Sequence, residues 1–170
     1  MSAKNNSMDS GRKQELANKL MDRKCEQDWL AYRRCPAAFR KVSTRFFINV
    51  AEWKQLRYHE KRWLAAYAVG CTVPKAVLSG RSAARILGIW VIATTPEQVE
   101  LVSQRGKAPS RKQWPSGVVY RDRSPGNAAP RSFDRLRTTD LMTTVFEIAL
   151  RHGFAEGLVA MDWLLREGRP

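Results

Sequence analysis

The hydrophobic period changes along this chain, and that change restricts its fold more than any other feature. Up to Arg34 the large apolar side chains recur at helical spacing, Leu16 and Leu20 with Met21, then Trp29 and Leu30. Cys35-Pro36 stops the pattern, because a residue before proline avoids the helical region. From Arg40 to Asn49 the period is two. Val42, Thr44, Phe46 and Ile48 alternate with polar or charged neighbours, Phe47 excepted, which reads as a two-stranded ribbon with a basic turn. Short helices followed by a basic hairpin make a winged helix-turn-helix-like module. The expected fold is α+β, with that module packed on a small C-terminal α/β domain of short sheet plus helices.

Punctuation residues place the elements. Residues 1–10 are small and polar and are expected to be a disordered N-terminus, with Asp9 or Ser10 capping a helix near Gly11. The winged-helix-like module is expected over 11–55 and the α/β domain over 56–170. Within the first, a helix is predicted at 27–34. Within the second, a helix at 58–70 puts Trp63, Ala66, Tyr67 and Gly70 on one face, where Trp63 and Tyr67 read as core side chains. Ser79 and Gly88 bracket a two-turn helix as N-cap and left-handed C-terminal residue. Strands are expected at 99–102 and 118–120, flanking a basic connection, and 121–130 reads as a Gly/Pro-rich loop. Two helices close the chain: one is capped by Thr138, Thr139 or Asp140 and runs to Arg151, the other covers 154–166. His152 reads as a surface residue complementing a helix dipole.

Composition narrows the function. Thirty Lys and Arg face 16 acids, a net charge of +14, while 44% of residues are hydrophobic, with six Trp and six Phe. A disordered polybasic protein lacks the apolar side chains to offset chain entropy, so this composition argues for a packed core. The charge is spread over both halves, and residues 105–137 hold nine Lys/Arg against two Asp. Such an excess attracts polyanions largely regardless of their sequence. No apolar run reaches the ~18–20 residues that span a bilayer, and the polar N-terminus does not resemble a signal peptide. An intracellular, cytoplasmic protein with no membrane partner is expected. Three cysteines, Cys25, Cys35 and Cys71, are too few and too scattered for a disulfide framework or a zinc site, so no metal and no cofactor are expected. No Walker A loop, GxGxxG, HExxH or GxSxG pattern occurs, and Asp122 and Asp134 sit among arginines. No catalytic residue is assigned, and the chain is not expected to be an enzyme.

Several segments carry a likeness to a known family. Arg40 to Trp53 (RKVSTRFFINVAEW) resembles the hairpin that ends the winged helix of AbiEi-type antitoxin-like regulators. Ala76 to Ile89 (AVLSGRSAARILGI) is similar to the family's A-V-x-S-x-x-S-A-A-x-L-x-G helix. Val99-Glu100-Leu101 with Arg105-Gly106, and the run Gly117 to Arg121, resemble its V-E-L-x-x-x-R-G and G-V-V-x-H-R strands. Leu136 to Thr139 with Thr143 and Phe146 to Ala149, then Gly157 to Asp162, resemble its closing helices. Two places depart from the pattern: Arg45 stands near the wing glycine, and Ser43-Thr44 replace the usual arginine pair. Many members continue into a domain resembling very-short-patch-repair endonucleases; the chain ends at Pro170, ahead of where such a domain would start.

The resemblance implies a bacterial transcription regulator that binds duplex DNA, often the antitoxin of a toxin–antitoxin pair whose toxin is a nucleotidyltransferase. Arg33, Arg34, Arg40, Lys41 and Arg45 are the candidate DNA contacts. Arg105, Lys107, Arg111 and Lys112 form a second basic patch, for DNA or for a partner. A cognate toxin and a second copy of the chain are the candidate protein partners. The competing readings are a protein-interaction module, toxin-neutralising or dimerising, and a detached, inactive N-terminal part of an endonuclease.

Overall fold

The chain folds as an α+β protein of helices and two small sheets. The computed structural model describes residues 8–73, 75–93, 95–103, 108–121, 131–133 and 136–167. Helix α1 (Ser10–Asn18) starts as the capping signal predicts: the Asp9 carboxylate accepts from the Arg12 N–H at 2.6 Å. Order thus begins before Gly11, with Met8 already against the core; residues 1–7 lie outside the described ones. Met21, which shares the spacing of Leu16, leaves that helix and pairs with Phe47 as part of strand β1 (Met21–Asp22).

Helix α2 (Glu26–Arg34) ends at Cys35, whose φ of −145° and ψ of 73° lie outside the helical region that a following proline disfavours. A helix-turn-helix has its second helix after a turn of three or four residues. Here that place holds a single 3-10 turn, Pro36–Ala38, before strand β2 (Phe39–Lys41) begins. Strand β3 (Phe46–Asn49) pairs antiparallel with β2 and, on its other edge, with β1, in the order β1-β3-β2. The ribbon turn is closed by Ser43, whose hydroxyl accepts from the N–H groups of Arg45 and Phe46 at 3.3 and 3.0 Å. Asn49 then caps the short helix α3 (Val50–Gln55).

Helix α4 (Tyr58–Thr72) lies over the second sheet. Gly70 is required there, because a Cβ would sit 2.8 Å from Leu136 and 3.1 Å from Leu78. The sheet comprises β4 (Ala76–Leu78), β5 (Val99–Ser103), β6 (Val118–Arg121), β7 (Arg131–Phe133) and β8 (Leu136–Thr138), in the order β6-β5-β4-β8-β7. It is mixed: β4 runs antiparallel to β5 and parallel to β8, and β5 runs parallel to β6. Strands β5 and β6 match the apolar runs. Strands β7 and β8 have three residues each, too short to show a period, and neither is among the expected strands.

Between Ser79 and Gly88 stands α5 (Gly80–Leu87), with Gly88 at φ +84°. The N-cap position is right but the capping group is not: Ser79 makes no side-chain cap bond. Instead, the N–H groups of Gly80 and Arg81 donate to Glu147 Oε2 (2.8 Å) and Glu100 Oε2 (2.9 Å). Anionic side chains suit a helix N-terminus. Gly80 itself has φ +51°, and a Cβ there would overlap the Glu100 carboxylate. Asp140 caps α6 (Leu141–His152), and α7 (Phe154–Glu167) follows Gly153 at φ +98°.

One apolar core joins Leu16 and Ile48 to Trp63, Leu64, Leu78, Leu101 and Leu136. The N-terminal ribbon and the five-stranded sheet are therefore packed on shared side chains. Trp63 is a core residue as expected, stacked on Tyr67 at 5.1 Å. A second cluster (Ala84, Ile89, Val145, Ile148, Ala160, Leu164) binds α5, α6 and α7 together. His152 is not a solvated surface residue: its ring is largely buried, and its Nε2 lies 3.1 Å from both Glu100 oxygens.

Candidate nucleic-acid interface

Strand β2, the ribbon turn, α3, α4 and the edge of the second sheet leave a cleft of about 590 Å³ between them. Phe47 and Ile48 are buried on β3, the middle strand, whereas Arg40 and Lys41 lie exposed on the edge strand β2 at this rim. Lys61 and Arg62 come from the first turns of α4, and Trp53 from α3. Arg40 Cζ is 4.8 Å from the centre of the Trp53 ring, and Lys61 Nζ is 5.9 Å from it. The indole thus steadies two cationic arms and leaves their heads wet. Arg62 stands over Tyr58 at 5.0 Å and donates through Nη1 to the Glu97 carbonyl at 2.8 Å. Its Nε is a buried donor with no partner among the described residues.

The charges sort into two populations. Arg81 is clasped by Glu156 (2.8 and 2.5 Å), Arg85 by Glu97 (2.7 Å at the closest), and Arg121 by Glu100 (3.0 Å). Arg12 bridges Glu15 and Glu60. Arg33, Arg34, Arg40, Lys41 and Lys61 have no carboxylate partner among the described residues. Glu97, the acid on the cleft wall, is already engaged by Arg85, so it does little to neutralise the rim.

Of the residues singled out from the sequence, Arg33 and Arg34 lie exposed in the last turn of α2. Arg40 and Lys41 line the cleft. Arg45 behaves differently. Its guanidinium is fastened to Asp22 by two hydrogen bonds, one of them 2.7 Å from Nε to Oδ1, tying the ribbon turn to β1. That contact holds the Asp22 carboxyl below the usual carboxylate range and raises the guanidinium further. Arg45 therefore braces the turn, and a phosphate would compete with a carboxylate for it. Arg111 and Lys112 are exposed on a 3-10 turn, Arg111–Gln113, with Arg111 5.6 Å from the Trp114 ring. Arg105, Lys107, Asp122 and Asp134 lie outside the described residues.

Trp53, Lys61 and Arg62 escaped the sequence reading as binding residues. Their spacing is ordinary for helix surfaces, and only the approach of α3 and α4 to the ribbon brings them to Arg40. Among the described residues no group of three His, Cys, Asp or Glu side chains gathers as a metal site, and none of their helices is long and apolar enough to cross a membrane. The chain matches no protein-family model, no curated protein and no solved structure.

Proposed function

We propose that this protein is a DNA-binding transcription regulator of the antitoxin type, which grips the duplex backbone through the ribbon and the cleft beside it. The observation that carries this reading is the segregation of charge. Cations inside the fold are matched to carboxylates, whereas Arg40, Lys41 and Lys61 converge on one cleft without any. Cations left unmatched side by side repel one another, and a phosphodiester chain relieves that repulsion. Thr44 and Ser116 line the same cleft and offer neutral hydroxyl donors of the kind that position phosphates. With a 3-10 turn where a recognition helix would stand, no helix follows α2 at the spacing by which a helix-turn-helix reads base edges. Backbone contact is therefore expected to dominate over sequence reading. The antitoxin assignment, with a nucleotidyltransferase toxin as partner, rests on the likeness to AbiEi-type regulators.

The deciding experiment is fluorescence anisotropy with a labelled duplex across a salt series. Binding that weakens steeply with salt is the expected result. No binding at low ionic strength would refute the proposal. Cleavage of the duplex on adding magnesium would favour the endonuclease reading instead.

A further inference from the structure

Helices α6 and α7 bury one face and leave another bare. On α6, Met142, Phe146 and Leu150 follow each other at intervals of four and are 59–63% exposed. On α7, Phe154, Leu158 and Leu165 share a face and are 56–78% exposed. The helices meet where Gly157 lies against Ala149, so close that a Cβ on Gly157 would overlap it. The helical spacing sets Leu150 and Phe146 on one flank of that seam and Phe154 and Leu158 on the other. The six side chains thus make one apolar strip on the outside of the hairpin.

We infer that this strip is a dimer interface and that its occupant is a second copy of the chain. Area is the first argument. Large side chains present on the order of 200 Å² each, so the exposed shares of these six come to roughly 800 Å². A stable interface buries about 800 Å² per partner, and isolated exposed patches on monomers seldom exceed a few hundred. Charge is the second. The chain carries +14, which sets most of its surface against a second copy, yet on α6 and α7 the buried Glu147 and Glu156 are matched to Arg151 and Arg81 and the exposed Asp162 is paired with Arg166, so this face is close to neutral. This is the face on which two such cationic bodies meet with least repulsion. A two-fold axis across the strip stacks α6 and α7 of one protomer on those of its partner, each residue type facing an apolar counterpart. The Arg40–Lys41 cleft uses none of these six residues, so pairing leaves their solvent access to be decided by DNA alone.

The test is the mass of the full chain in solution, without DNA, by sedimentation equilibrium at tens of micromolar. The wild type is expected at twice 19.4 kDa. Phe146→Glu and Leu158→Glu, both at solvent-exposed sites, are each expected at the monomer mass with an unchanged far-ultraviolet circular dichroism spectrum. A wild type that sediments as a monomer at the highest concentration, or variants that remain dimers, would overturn the inference. Because no nucleic acid is present, that result would say nothing against the DNA-binding proposal. A monomer that instead pairs in equal ratio with a different protein through the same strip would also refute it.

Discussion

Glu100 on β5 and His152 at the end of α6 meet across 52 residues of sequence, with His152 Nε2 at 3.1 Å from both carboxylate oxygens. Glu100 is buried and also accepts from the Arg81 N–H and from Arg121 Nε. A carboxylate only accepts, so Nε2 must carry the proton of that bond. The cluster ties the sheet, the N-terminus of α5 and the end of α6 to a single side chain.

The consequence is acid lability with a definite direction. Burial by itself pushes Glu100 upward, but the His152 hydrogen bond and charge, the Arg81 N–H and the charge of Arg121 outweigh it and hold the carboxyl below its ordinary 4.5. A group with a depressed folded value stabilises the fold above its unfolded value, and that contribution is lost as pH falls through the folded one. Asp22, held down by Arg45, acts in the same sense. The contribution of these two carboxylates is expected to be level above about 5 and to fall away below about 4.5. His152→Leu removes one donor from a buried carboxylate, at a cost of about 1–3 kcal/mol, and moves the onset of acid unfolding to higher pH. Denaturant melts at several pH values read both effects; an onset that does not move in the variant would contradict the assignment.

Arg81 and Glu156 give a second, larger effect. Both side chains are 3% exposed, and their two hydrogen bonds join α5 to α7 across 75 residues. Breaking a buried pair from one side costs about 3–5 kcal/mol, while replacing both partners with apolar groups of similar volume is often neutral. Glu156→Gln is therefore expected to lower the melting temperature sharply, and Arg81→Met with Glu156→Leu to recover most of the loss. A double variant as unstable as the single one would show that the pair does more than neutralise buried charge.

The sequence disclosed some of this arrangement and concealed the rest for identifiable reasons. Helices with local caps were readable, because Asp9, Asp140 and Gly88 act within a turn of their own positions. The ribbon's place was readable but its alternation was not the cause: Val42 and Thr44 fall in the turn, and the buried pair on β3, Phe47 and Ile48, is consecutive. Ser79 misled, since the carboxylates that cap α5 arrive from Glu100 and Glu147, a long way off in the chain. The same distance hid the partners of Arg81 and His152. Arg45 looked like its neighbours Arg40 and Lys41 because charge alone does not reveal that Asp22 stands opposite once β1 pairs with β3.

Arg45 also supplies the sharpest test of the interface. Arg40 and Lys41 project from the ribbon without acidic partners, so removing both should leave the fold intact. If the ribbon rests on phosphates, the Arg40→Ala, Lys41→Ala variant weakens binding to every duplex alike, and the slope of log K against log salt flattens by about 2, one unit for each lost contact. Arg45→Ala should do the reverse. It leaves Asp22 half-buried without its partner and lets the ribbon turn loosen, so the melting temperature drops while the salt slope stays near the wild-type value. Anisotropy titrations and thermal melts on the two variants separate the roles. An equal loss of slope in both would make Arg45 a phosphate contact after all, and would require its bond to Asp22 to open when DNA arrives.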